Sequence, residues 1–213
     1  MTMKAGSLYR RGILHAKALY FDTRRKFSPM IVRDNFGIKV RVYPFDTTPI
    51  KKLLTRENFK HEFSMYDKYA HGIVVDAGAN IGVISVYLSR SAEKVYAFEP
   101  VPQTYSFLQE TIQLNDRKNI EAIPSALGSK PGAMEMQIFP PDKSGWNSAF
   151  VPHTDESRPV STQKVPVVRL DEFARERNID RIGFLKIDVE GYELEVLRDT
   201  LSKKHGFFSQ TIV

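Results

Sequence analysis

Cysteine is absent from the 213-residue sequence, and tryptophan occurs once. Without cysteine, the chain can form neither a disulfide framework nor a thiolate metal site. No apolar run approaches the roughly 20 residues of a membrane-spanning helix. The N-terminus has neither the apolar core nor the small-residue cleavage site of a signal peptide. We therefore expect a protein of a reducing compartment, the cytoplasm, without a transmembrane segment.

Acidic residues are scarce in the N-terminal part of the chain. Residues 1–60 contain 14 Lys or Arg and 4 Asp or Glu, whereas the remainder contains 17 and 21. Such a basic segment can face nucleic acid, anionic lipid or a phosphorylated substrate. Because no RNA-binding motif and no aromatic–basic stacking pattern accompanies the charge, we interpret it as a solvated surface. We do not expect a nucleic-acid partner.

Two regions of the chain differ in their pattern of apolar residues. Residues 1–71 predict a basic N-terminal extension with a helix over 7–26, a hairpin over 29–44 and a helix over about 49–69. From 72 to 213, strands and helices alternate, which predicts a doubly wound, mostly parallel α/β sheet of the Rossmann-like type. The predicted strands are Ile73–Ala77, Lys94–Phe98, Ile120–Leu127 and Phe184–Val189, and the predicted helices are Val83–Arg90, Pro102–Asn115 and Tyr192–Lys204. A hairpin (133–139 with 164–168) and a polar loop over 140–163 interrupt the alternation.

A glycine-containing turn follows the first strand of this alternating region. Asp76 lies in that strand near its end, and the turn before the next helix contains Gly78, Asn80 and Gly82. The glycines let the backbone turn tightly and approach a ligand. Their G-x-x-x-G spacing differs from the G-x-G-x-x-G dinucleotide fingerprint, and the Asp76 carboxylate would repel a pyrophosphate. The turn therefore favours a ligand with an ammonium or sulfonium group.

Three further carboxylates follow predicted strands. Glu99, which precedes Pro100, comes 23 residues after Asp76, where an acidic residue can accept hydrogen bonds from both hydroxyls of a ribose. Asp188 and Glu190 come at the end of a later strand, and residues two apart on a strand share a face. One of them could hold an amine or a metal while the other acts as a general base; alternatively, Glu190 only begins the next helix. A divalent ion is compatible with this pattern but not required by it, and we assign no metal ligand.

Two candidate sites carry weaker signals. Ser125 and Ala126 end the third predicted strand, where an adenine ring can lie against small side chains, although a buried strand end accounts for them equally well. His153, in the polar loop, is a candidate general base, but a lone loop histidine is more often incidental than catalytic.

Taken together, these segments resemble the FkbM family of S-adenosylmethionine-dependent methyltransferases. The segments that carry the resemblance are VVDAGANIGVISVYLS (74–89), AFEP (97–100), SALGSKPGAM (125–134), VVRLDEF (167–173) and LKIDVEGYELEVL (185–197). The last is the most specific, because it joins a strand, D-x-E-G and a helix in one pattern. The resemblance implies a class I methyltransferase fold and methyl transfer to the oxygen of a hydroxyl on a sugar, glycoconjugate or secondary metabolite. A nucleic-acid or protein acceptor is the alternative.

The resemblance also implies roles for these residues. Those that would hold the methionine portion of the cofactor are Asp76, Gly78, Asn80 and Gly82. Glu99 would hold the ribose, and Asp188 would lie near the amine or the reacting groups. Pro100, Ser125 and Ala126 are further candidate cofactor-binding residues. A hydroxyl acceptor loses a proton as the methyl group moves, and Glu190, Asp188 or His153 would accept it.

The chain ends within an apparent strand, at residues 210–213. In the family the sheet continues beyond this point, so we expect the C-terminal strands to be missing. A truncated, non-catalytic domain of the same fold is therefore a further hypothesis.

Overall fold

The computed structural model describes residues 29–34, 36–42, 60–140, 147, 159–198 and 211–212. Within them, the helices are α1 (Lys60–Tyr69), α2 (Val83–Leu88), α3 (Pro102–Leu114), α4 (Leu170–Glu176) and α5 (Glu193–Leu197). The strands are β1 (Met30–Arg33), β2 (Lys39–Val42), β3 (Gly72–Ala77), β4 (Ala92–Phe98), β5 (Ile120–Ile123), β6 (Ala126–Leu127), β7 (Gly132–Ile138), β8 (Ser161–Val168), β9 (Phe184–Ile187) and β10 (Thr211–Ile212). None of the helices described is long and apolar enough to cross a membrane. The predicted helix over 7–26 and most of the loop over 140–163 lie outside the described residues.

Among the described residues, five parallel strands form the central sheet, in the order β10-β9-β3-β4-β5. Continuous apolar runs such as Phe184–Ile187, buried at every position, are typical of parallel strands covered on both faces. The predicted doubly wound, parallel α/β sheet is confirmed. The strand predicted to begin near the end of the sequence is also present, because Thr211 and Ile212 pair with Leu185 and Lys186 of β9.

Alternate residues of the central strands enter two separate cores, because successive strand side chains point to opposite faces. Val74 of β3 packs in the core that contains Leu108 of α3. Val75, the next residue, packs in the core that contains Phe173 of α4. Helices therefore cover both faces of the sheet, so a ligand can approach it where the strands begin or end.

The predicted N-terminal hairpin is confirmed as the antiparallel pair β1–β2. The Asp34 carboxylate closes its turn by accepting hydrogen bonds from the backbone N–H groups of Phe36 (2.9 Å) and Ile38 (2.7 Å). Ile38 of this hairpin and Phe63 of α1 join the same core as the sheet residue Val74. The described residues before His71 thus share a hydrophobic core with the central sheet.

Three details of the predicted elements are wrong. The strand predicted over Ile120–Leu127 is broken: β5 pairs with β4, whereas β6 pairs with β8 in a separate sheet of order β6-β8-β7. Pro124 has no N–H to continue a ladder, and the Ser125 N–H turns back to the Ile123 carbonyl (2.9 Å). The strand predicted to reach Val189 ends at Ile187, and helix α4 was not predicted. The predicted hairpin of the excursion is confirmed as β7–β8.

Candidate functional site

The candidate site lies where β3, β4 and β9 end. Strand β3 has β4 on one side and β9 on the other. The strand order therefore reverses at β3: β4 and β5 lie to one side of it, and the later strands β9 and β10 lie to the other. In open α/β sheets, ligands bind outside the carboxyl ends of strands at such a switch point. The predicted carboxylates Asp76, Glu99 and Asp188 all lie at this edge, one on or just after each of the three strands.

The turn after β3 depends on a glycine at its first position. Gly78 has φ +79°, and a Cβ there would lie 2.0 Å from the backbone oxygen of Asp188. The missing side chain therefore lets the end of β3 pack directly against the end of β9. Asn80, with φ 51°, is one of the few non-glycine residue types that tolerate this left-handed region.

The backbone N–H groups of this turn are all engaged within the protein. Gly78 and Ala79 both donate to the Phe98 carbonyl (3.1 and 2.9 Å), and Gly82 donates to Ala79 (2.9 Å). Asn80 donates to the Glu99 carboxylate (3.0 Å), and Ile81 to the Asn80 side chain (2.7 Å). A phosphate-binding loop would instead direct such groups at its ligand. The geometry thus agrees with the sequence argument against a pyrophosphate.

Glu99 is a buried carboxylate, with 6% of its surface exposed. Each of its oxygens accepts one backbone hydrogen bond, Oε2 from Asn80 and Oε1 from Val101, both at 3.0 Å. Burial raises the pKa of Glu99 to about 7, although these two hydrogen bonds favour the ionised form. Since a carboxylate oxygen has a second lone pair, the group remains able to accept further hydrogen bonds from hydroxyls.

Asp76 is completely buried and does not face the cleft directly. Its Oδ2 accepts a hydrogen bond from the Ser85 hydroxyl (2.6 Å), and its Oδ1 lies 3.0 Å from the Lys186 ammonium. Asp76 and Lys186 are paired residues on β3 and β9. At this distance the two opposite charges form an ion pair, so Lys186 is a buried ion-pair partner of Asp76.

Asp188 and Glu190 both line the cleft, but not because they alternate along a strand. The strand has ended at Ile187, and Glu190 adopts φ 50° with Gly191 following at φ 94°. This left-handed pair turns the chain outward into α5. Strand alternation therefore does not bring these two carboxylates together; the turn after β9 does, and both line the cleft.

A cleft lies above these strand ends, lined by residues from the turns after β3 and β9 and from the end of β4. Its polar lining residues include Asn80, Glu99, Asp188 and Glu190. Its apolar lining residues, here called the apolar wall, include Phe98, Leu127, Met134 and Met136. Such a cleft can hold an amphipathic molecule that carries both a flat apolar group and positively charged or hydroxyl groups.

Not every predicted binding residue lines this cleft. Those that do are Gly78, Asn80, Glu99, Pro100, Ala126, Asp188 and Glu190. Gly82 packs instead against α3, where a Cβ would lie 2.5 Å from Leu108 Cδ1. Ser125 is buried and does not line the cleft, and His153 lies outside the described residues.

The structure adds cleft residues that the sequence argument missed. Besides the apolar wall, these are Val189 and Tyr192. Tyr192 follows the D-x-E-G segment directly, so its position could have identified it. Met134 and Met136 come from β7, and nothing in their local sequence signals that this strand reaches the site. In the described part of the chain, no group of three or more His, Asp or Glu side chains is arranged to hold a metal ion.

Comparison with known proteins gives a family match over most of the α/β region. The methyltransferase FkbM domain matches residues 76–211. Methyltransferase sdnD of Sordaria araneosa is 33% identical over 167 residues, which cover 65% of this chain and 64% of the relative. The hexuronic acid methyltransferase AglP of Haloferax volcanii is 31% identical over 126 residues, which cover 59% and 48%. The 31-O-demethyl-FK506 methyltransferase FkbM of Streptomyces tacrolimicus is 31% identical over 155 residues, which cover 59% and 58%. The chain thus spans about half to two thirds of the length of these relatives.

Proposed function

Because the chain belongs to the methyltransferase FkbM domain family, we propose that it is an S-adenosylmethionine-dependent O-methyltransferase acting on a hydroxyl of a sugar, glycoconjugate or secondary metabolite. The observation that carries the proposal is the cleft at the switch point, which is lined by three carboxylates and by the apolar wall. The names of two relatives support the acceptor class, since one names a hexuronic acid and the other an O-demethylated compound.

The cleft suits the chemistry of this cofactor, which joins a purine nucleoside to an amino acid through a sulfonium group. A purine needs an apolar wall, and Met134 and Met136 of β7 contribute to one. The ribose needs a hydrogen-bond acceptor, which Glu99 supplies. The sulfonium and ammonium groups need negative charge nearby, which Asp188 and Glu190 supply. When bound, the cofactor supplies an electrophilic methyl group.

The residues of the chain then have distinct roles in the proposal. Gly78 keeps the end of β3 in contact with the Asp188 backbone, which fixes the floor of the cleft. Asp188, whose Oδ2 lies 3.6 Å from the Lys186 ammonium, is assigned to the cofactor's ammonium group. Glu190 is assigned as the general base that accepts the proton from the acceptor hydroxyl. Alignment of the acceptor oxygen with the methyl carbon supplies much of the remaining rate.

A radioactive methyl-transfer assay tests this proposal. We expect the purified chain to move labelled methyl groups from the cofactor to members of a pool of sugars and secondary metabolites. Glu190→Gln should lower kcat by about 10²- to 10⁴-fold, the usual contribution of a general base. Glu176→Gln, which alters an exposed carboxylate on α4 away from the cleft, is the matched control and should leave the rate unchanged. A wild-type chain that neither binds the cofactor nor transfers methyl groups would refute the proposal.

A nucleic-acid acceptor is the second candidate, favoured by the excess of basic residues in the N-terminal 60 positions. Binding to nucleic acid through phosphate contacts weakens steeply with salt. If this candidate is correct, methyl transfer to RNA or DNA should fall sharply between 50 and 200 mM salt, on the order of the 10³-fold expected for several phosphate contacts. Charge reversal of Arg24, Arg25 and Lys26 should reduce it further. Transfer to neutral sugars that is insensitive to both changes would exclude this candidate.

A further inference from the structure

We propose that Lys186 is a positioning residue for the cofactor site, holding the Asp188 carboxylate and the turn after β3 in the arrangement that the cofactor binds. The inference rests on the proposed function, because it concerns how the same cleft recognises S-adenosylmethionine. It starts from the three oxygen atoms that surround the Lys186 ammonium.

These three oxygens come from both sides of the switch point. The ammonium lies 3.0 Å from Asp76 Oδ1 and 3.6 Å from Asp188 Oδ2, and it donates a hydrogen bond to the Gly78 carbonyl at 3.4 Å. Only the Gly78 contact is a hydrogen bond, whereas the two carboxylate oxygens are attracted by the positive charge of the ammonium. It thereby links the end of β3, the first residue of the turn and the first residue after β9.

The three partners differ greatly in their exposure. Asp76 is fully buried and Lys186 is 5% exposed, whereas 63% of the Asp188 side chain is exposed. An exposed aspartate side chain samples several rotamers, and ordering it on ligand binding costs entropy. A buried cation anchored by a buried carboxylate gives Asp188 a fixed electrostatic partner. The cleft carboxylate is then oriented before the cofactor arrives.

A purely structural role for Lys186 would be to neutralise Asp76. Burying a carboxylate without a partner is costly, and the ammonium at 3.0 Å removes that cost. This role alone predicts that losing Lys186 changes stability but not the contribution of Asp188 to cofactor binding. The positioning role predicts that the effects of Lys186 and Asp188 on cofactor affinity depend on each other.

A double-mutant cycle separates the two roles. The dissociation constant of S-adenosylmethionine is measured by calorimetry for wild type, Lys186→Met, Asp188→Asn and the double variant. With Asp188 present, Lys186→Met should weaken binding about 3- to 10-fold, as expected for losing the order of one side chain. With Asp188→Asn present, the same change should weaken binding less than about 2-fold.

Ser85→Ala is the matched control. It removes the other partner of Asp76, the hydroxyl at 2.6 Å from Oδ2, without touching Asp188. It should lower the melting temperature and leave cofactor affinity unchanged. If Lys186→Met does not fold, Lys186→Arg replaces it in the cycle, because the guanidinium keeps a positive charge beside Asp76 but differs from the ammonium in size and geometry.

The outcomes distinguish this inference from the proposed function. If the wild type binds the cofactor and Lys186→Met weakens binding by the same factor with and without Asp188, the positioning role is refuted. An unchanged affinity in folded Lys186→Met refutes it as well. If the wild type does not bind the cofactor at all, the proposed function fails first and the inference fails with it.

Discussion

Replacing Glu99 with glutamine should change how the stability of this protein depends on pH. Glu99 is 6% exposed, and burial raises its pKa from 4.5 in the unfolded chain to about 7 in the folded protein. Between these two values, the folded state still holds a proton that the unfolded state has released. The free energy of unfolding must therefore fall as the pH rises through this window.

The size of the effect follows from the pKa difference. A rise from 4.5 to about 7 corresponds to about 3 kcal/mol, at about 1.4 kcal/mol for each pKa unit. Wild type carries this contribution fully below pH 4.5 and loses it by about pH 7 and above. The carboxamide of Glu99→Gln does not titrate, so the variant lacks this part of the pH dependence.

The same substitution also affects the two backbone hydrogen bonds of Glu99. Both oxygens of its carboxyl group, protonated or not, can accept the hydrogen bonds from Asn80 and Val101, whereas glutamine offers one acceptor oxygen and an amide nitrogen that only donates. The variant should therefore be less stable than wild type by roughly 1–2 kcal/mol at pH 5, because one N–H loses its partner. At pH 8, where wild type also bears the cost of a buried charge, the difference should vanish or reverse.

Urea denaturation of both proteins at pH 5, 6, 7 and 8 measures this difference. At each pH, the free energy of unfolding of the variant is subtracted from that of wild type, so the titration of all other groups cancels. We expect the stability difference to shift by up to about 3 kcal/mol in favour of the variant between pH 5 and pH 8. If the stability difference between the two proteins changes by less than about 0.5 kcal/mol from pH 5 to pH 8, which is within the error of the method, Glu99 is not a buried group with a raised pKa.

Three further predictions concern residues that line the cleft or lie behind it. Gly78→Ala should destabilise the protein by several kcal/mol more than Gly37→Ala, as urea denaturation would measure; both glycines have φ near +78°, but an added Cβ meets a backbone oxygen at 2.0 Å only at Gly78 and nothing within 4 Å at Gly37. Equal losses at the two positions would contradict the close packing of β3 on β9. Asp76→Asn should cost about 3 kcal/mol or more because it leaves the Lys186 cation buried, and Asp76→Asn/Lys186→Met should recover most of that loss; a double variant no more stable than the single one would count against the ion pair. Met136→Ala should weaken calorimetric binding of S-adenosylhomocysteine, because it removes part of the apolar wall, and should lower stability by about 2 kcal/mol; unchanged affinity would argue that the purine does not lie against β7.

The features that could be predicted from the sequence are those that local patterns determine. The turn with Gly78, Asn80 and Gly82 is recognisable because left-handed backbone positions select glycine and asparagine. Glu99 is recognisable by its place just after the second strand of a βαβ unit. Because the carboxyl ends of parallel strands lie at a common edge of the sheet, identifying the strands was sufficient to predict that these segments lie close together.

The features that could not be predicted depend on neighbours across the sheet. Asp76 resembles a ligand-binding carboxylate in the sequence, but its pairing with Lys186 on β9 and its complete burial are products of strand register. Gly82 resembles part of the ligand turn in the sequence, but glycine is required there because a side chain would collide with Leu108 of α3. Met134 and Met136 reach the cleft only because β7 joins β8 in a second sheet beside it.

A crystal structure of the chain with S-adenosylhomocysteine would show whether the cleft at the ends of β3, β4 and β9 binds the cofactor. We expect the ribose hydroxyls within hydrogen-bond distance, about 2.5–3.0 Å, of the Glu99 carboxylate. We also expect the purine against Met134 and Met136, and the ammonium group near Asp188. Ligand bound elsewhere, or bound in this cleft with its ribose away from Glu99, would contradict the proposed site.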